Sequence, residues 1–162
     1  MKQRYYVLIG FFIAVVQTYL GQLFEINGVV PDLVLVYIVC LALQQGNKPA
    51  LITGLVVGLM YDILFADYIG LYSIFYVTVG YVIGYFRHNF FYSNVQIALV
   101  FTIVSTTLKY LFIKIFQIFI SVNFNMINIK VIFFTILYNV LICILIHFVL
   151  TKVKMWSEDE RK

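Results

Sequence analysis

GLVVGLMYDILF, residues 54–65, is apolar enough to lie in lipid, yet it carries one carboxylate, Asp62. Gly54, Gly58 and Asp62 fall at every fourth position. On a helix that spacing drifts only about 40° per step, so the three share one face. Small residues at this interval let two helix backbones approach closely in a membrane. The aspartate therefore extends a strip shaped for helix contact, which predicts a protein-facing carboxylate with an internal partner; contact with water near the helix end is the other reading.

The rest of the chain agrees with a lipid setting. Of its 162 residues 64% are hydrophobic and only 11% are charged, against about 25% charged in soluble domains. The bilayer must be its solvent. Six apolar stretches stand out, at about 5–24, 29–44, 49–66, 68–86, 95–120 and 131–150. Backbone groups in lipid must bond within their own segment, so these are helices; no period-two alternation suggests a barrel. The fold class is an all-α integral membrane protein, one transmembrane domain over residues 1–162. The first run is too long for a signal-peptide core and no small-residue cleavage site follows it, so it reads as a first membrane helix. Segment five exceeds a bilayer core of about 30 Å and must tilt or protrude.

Charge placement gives the orientation. Lys2, Arg4, Lys48, Arg87, Lys152, Lys154, Arg161 and Lys162 fall on one side of a six-span chain and Lys130 alone in a loop on the other. Positive charge marks the cytoplasmic side, so both termini are expected there. Glu25, Asp32 and Asp67 go to the outer edge. The net charge of +4 comes with no basic patch and does not point to nucleic acid.

Lys109 and Lys114 in helix five are the candidate partners of Asp62. They are about 140° apart around the helix, so they cannot both face one neighbour. Either could pair, and the other would snorkel. Pro31 suits the first turn of helix two and Asp32 its positive end, with contact to an external partner as the second reading. Gly80 and Gly84 form a close-contact pair in helix four. Ser105, Thr106, Thr107 and Asn139 read as interhelical hydrogen-bond groups. Gln44 and Gln45 end helix two. Cys40 and Cys143 read as small buried hydrophobes, since no spacing supports a metal or redox pair. His88 reads as part of a solvated turn, His147 as packing, and Trp156 as an interface anchor.

No chemistry of a reaction centre is evident. Tyr61-Asp62 is half of an intramembrane aspartyl-protease pattern, but no second aspartate lies in another helix to share its proton. There is no nucleophilic serine on a glycine turn, no H-E-x-x-H and no phosphate-binding glycine loop. No enzyme, metal or cofactor is expected.

The run PDLVLVYIVCLALQQG followed by GLVVGLMYDILFADYIGLYSIFYVTVGYVIGYF resembles the rod shape-determining MreD family. The resemblance rests on Pro31, Asp32, Gly46, Gly54, Gly58, Asp62, Gly70, Leu71, Gly80, Tyr81 and Gly84, and covers residues 31–86. The QQGNKP turn departs from it, lacking the arginine often found there. The resemblance implies a non-enzymatic scaffold of the cell-elongation machinery in a bacterial inner or plasma membrane, acting in cell shape and side-wall peptidoglycan synthesis. Its implied partners are MreC, MreB, RodA and a class B penicillin-binding protein. It also implies a bundle similar to the S-components of energy-coupling-factor vitamin transporters, which makes such a substrate-binding subunit the alternative function. Against that alternative, FFIAVVQTYLGQ in helix one has no alanine-rich coupling motif and the outer loops are short. With almost nothing outside the membrane, such a protein acts through helix faces and short loops.

Overall fold

A computed structural model describes residues 3–21, 25, 29–65, 68–87, 94–119 and 129–159. Asp67 and His88 lie outside the described residues, as does the side chain of Trp156. Six α-helices make up the described chain: α1 Gln3–Gly21, α2 Leu33–Gln45, α3 Asn47–Phe65, α4 Leu71–Phe86, α5 Val95–Phe119 and α6 Ile129–Asp159. Two of them, Val95–Phe119 and the Ile129–Lys152 part of α6, are long and apolar enough to cross a membrane.

The limits depart from the hydropathy reading where local chemistry overrides it. Helix two starts at Leu33 because Asp32 is its N-cap, accepting from Leu35 N at 2.9 Å. Pro31 therefore precedes the helix rather than occupying its first turn. Helix four starts at Leu71 because Gly70, at φ 103°, takes a left-handed conformation that ends any helix running through it. Gly46, at φ 92°, makes the sharp α2–α3 turn, and its N–H donates to Ala42 O. Helix six continues well past residue 150.

α2 is the axis of the bundle. Its residues from Val34 to Gln44 are all buried, and it touches each of the other five helices. At 13 residues it is about 20 Å long, shorter than a bilayer core. It runs antiparallel to α1 and α5 and parallel to α6: Tyr37 OH donates to Tyr6 O, while Cys40 and Cys143 place their sulfurs 3.8 Å apart. Both cysteines are free and fully buried. The outer surface is the reverse of a soluble protein's, with Leu8, Phe12, Ile63, Ile74, Val100, Leu111, Phe134 and Leu145 all exposed. So continuous an apolar exterior requires an apolar surrounding.

The α3–α4 pair carries the closest backbone approach. A Cβ built on Gly54 would lie 2.9 Å from Tyr76 O, and one on Gly58 2.5 Å from Ser73 Cα. From the other side, a Cβ on Gly80 would meet Ala50 C at 3.0 Å, and one on Gly84 the backbone of Asn47 closer still. The two glycine pairs read separately in the sequence thus line the two sides of a single antiparallel seam, at different levels along it. Gly10 does a lesser job between α1 and α3, facing the side chains of Val57, Thr53 and Tyr37.

Candidate functional site

Asp62 lies at the end of that seam and is fully buried. α4 begins beside it with a first turn whose N–H groups have no partner in their own helix. Its N-cap position is Gly70, which has no side chain to cap with. Asp62 supplies the missing acceptors from α3: Oδ2 accepts from Gly70 N and Ser73 N, both at 3.0 Å, and Oδ1 from Tyr72 N at 2.9 Å. A carboxylate at this position also opposes the positive end of the α4 dipole. The aspartate is a helix cap delivered by the neighbouring helix.

The expected Asp62–lysine pair is corrected by this geometry. Lys109 instead forms an ion pair with Asp32, whose side chain is nearly as buried. The sequence leaves either lysine open to Asp62, but both oxygens of Asp62 accept backbone N–H groups, whereas Oδ2 of Asp32 is directed at α5. Lys114, one helical turn and a little further along, is half-buried.

Asp32, through its carboxylate and its N–H, ties α2 to α4, α5 and α6. Its N–H donates to Asn139 Oδ1 on α6 at 2.8 Å, and Asn139 Nδ2 donates to Thr106 Oγ1 on α5 at 3.0 Å. Its Oδ1 holds Leu35 N on α2, and Tyr76 OH on α4 donates to both oxygens at 3.2 and 3.3 Å. The Lys109 ammonium also sits 5.0 Å from the centroid of the Tyr72 ring, a cation–π distance. Tyr72 packs edge-on against Tyr61 of α3, with centroids 5.0 Å apart. From α1, Gln17 Oε1 accepts from Val34 N at 3.0 Å. All six helices therefore meet around the first turn of α2. The carboxylate is spoken for in each direction by backbone, phenol or ammonium.

Among the other sequence-read groups, Asn139 and Thr106 bond between helices, as does the Thr135–Tyr110 pair. Thr107 does not: it is exposed and bonds back to Ile103 O on its own helix. Gln44 turns inward, donating to His147 O and Thr151 Oγ1 at 3.2 Å each. The sequence reading did not find Gln17, Tyr72 or Tyr76. The available signals were an amide inside the apolar run FFIAVVQTYL and two tyrosines one turn apart on α4. No group of three metal-ligating side chains occurs among the described residues. What the arrangement does chemically is to satisfy buried polar groups and fix helices against one another.

The family model described as rod shape-determining protein MreD matches residues 1–155. The chain belongs to the MreD family. Membership extends the resemblance seen over residues 31–86 to nearly the whole chain. No curated protein and no solved structure matches the chain. In this MreD-family chain the glycines and both aspartates of the resemblance occupy the α3–α4 seam, the α2–α3 turn or the starts of α2 and α4.

The cap makes a graded prediction. Asp62→Ala strips three N–H groups of their acceptor, and the buried one, Ser73 N, costs about 1–3 kcal/mol when left unmade. Asp62→Asn keeps one acceptor oxygen and should fall between alanine and the native residue. Denaturant titration in mixed micelles gives the order, and amide exchange at Tyr72 and Ser73 should speed up first. Equal stability of the alanine and native proteins would remove the cap from the account.

Proposed function

We propose that the protein is a non-enzymatic membrane scaffold of the rod-elongation machinery, holding a single-span, MreC-like protein and through it the enzymes of side-wall peptidoglycan synthesis. MreB, RodA and a class B penicillin-binding protein are the further partners of this reading. The observation that carries it is the family match over residues 1–155. The geometry supports it in one respect: the buried carboxylates are saturated by structural hydrogen bonds, so what the molecule offers to others is its apolar helix surface.

The accompanying topology is six spans with both termini in the cytoplasm. Gln3 bonds Pro49 O, Gln44 bonds Thr151, and Arg87 lies beside Gly46, so the start of α1, the α2–α3 turn, the end of α4 and the later part of α6 gather at one end of the bundle. Lys48 and Arg87 belong to that end, which supports placing it inside. Asp32, Asp62 and Gly70 gather at the opposite end.

Depletion in the host should turn rod-shaped or oval cells round, and a tagged copy that restores shape should co-purify with a protein having one membrane span and an outer domain. A reporter fused at either terminus should report the cytoplasm. Unchanged cell shape after depletion, or a bound vitamin in place of a protein partner, would reject the scaffold role.

A further inference from the structure

The five helices around α2 form a ring with one opening. Going round, α1 packs on α3, α3 on α4, α4 on α5, and α5 on α6, but among the described residues the backbone of α6 does not come close to that of α1. Equal cylinders pack six around one, and helices in contact keep axes about 8–10 Å apart. The ring therefore lacks one helix. At the missing place the molecule has a cleft of about 430 Å³, bounded by Phe12 and Val16 of α1 and Ile142 and Leu145 of α6, with Pro31 and Leu33 at its floor.

We propose that this cleft receives one apolar membrane-spanning helix of another protein, which completes the ring around α2. The inference rests on the scaffold reading and assigns the partner's seat. The opening continues the existing α2–α1 and α2–α6 interfaces, and at about 430 Å³ the cleft takes the side chains of one helix face, with the body of that helix resting between α1 and α6. The lining is almost wholly carbon; the amide oxygen of Gln17, at its edge, already accepts Val34 N. Tyr138 is the other polar residue of the lining and no charged side chain is among them, so the incoming helix must present a largely aliphatic, uncharged strip. A second copy of this chain fits poorly. A two-fold interface would set cleft against cleft, and two concave faces leave the sixth place unfilled on both sides.

Two measurements in the natural host test the assignment. A photo-crosslinking benzoylphenylalanine is placed at Val16, at Leu145, and, as the far-side control, at Val82 on α4, across α2 from the opening. Positions 16 and 145 should join to a peptide within the apolar span of a single-span protein, about tenfold more than position 82, the equivalent of about 1.4 kcal/mol. Separately, the pair Val16→Trp with Ile142→Trp fills the cleft and should lower co-purification of that partner by a similar factor, while Val82→Trp leaves it unchanged. Adducts at 16 and 145 only to lipid or to a second copy, or yields equal to position 82, overturn the cleft assignment. Undiminished co-purification with the filled cleft also overturns it, and leaves the scaffold role standing. If the native chain brings down no single-span protein at all, the scaffold role fails and takes this assignment with it.

Discussion

Lys109→Ala is expected to be among the most damaging single substitutions in this protein, at about 3–5 kcal/mol, because it leaves the buried Asp32 carboxylate without its counter-charge. Asp32 cannot turn to water, since it is buried, Tyr76 OH and Leu35 N hold its carboxylate, and Asn139 holds its N–H. The informative comparison is a double substitution. Asp32→Asn retains the cap on α2, because asparagine is as good an N-cap as aspartate, and it still accepts from Tyr76. Combined with Lys109→Met it removes both charges and keeps the lysine's volume. The double variant should therefore be more stable than Lys109→Ala alone, a reversal of ordinary additivity that marks a buried pair. Unfolding in mixed micelles, read by tyrosine fluorescence or proteolysis, gives the ranking. If the single variant matches the native protein, the pair carries no energy and the convergence of six helices has another cause.

The second large effect belongs to the α3–α4 seam. Gly84→Leu and Gly58→Leu should prevent the two helices from seating, because a Cβ at either position already meets main-chain atoms of the facing helix. Backbone cannot rotate away as a side chain does. Even alanine at these positions should cost about 1–3 kcal/mol through overpacking. Gly10→Ala meets Val57 Cγ2 at 2.9 Å, Thr53 Cγ2 and Tyr37 Cε1, which are side-chain atoms. It should be milder than alanine at 58 or 84. Yield of monodisperse protein and its thermal midpoint in detergent measure the series. A Gly10→Ala protein less stable than Gly84→Ala would invert the expected order and refute the backbone-contact explanation.

Much of this architecture is legible in the residues, and the part that is not has a clear physical origin. The six apolar stretches have helices within them, as expected of segments whose backbone must bond within itself. Their ends shifted by a few residues where a single group decides: the Asp32 side chain at α2 and the positive φ of Gly70 at α4. The glycines and Asp62 could be placed on one face from spacing alone. Which face of which neighbour they met could not, since spacing on one helix holds no information about the rotation of another. That is why Lys109 is a candidate for Asp62 in the sequence and is found on Asp32. It is also why Gln17 and Tyr76, polar atoms at the ends of otherwise apolar side chains or runs, gained their meaning only from the company they keep.

The position of α2 bears on how the molecule is made. It is second in order along the chain, yet its first turn is held by Asn139 and its last by the His147 carbonyl and Thr151, all on α6. During synthesis this segment enters the membrane long before the groups that satisfy it exist, and Gln44 and the Asp32 amide spend that interval without their final partners. A nascent chain halted before α6 should therefore be a substrate for membrane quality control.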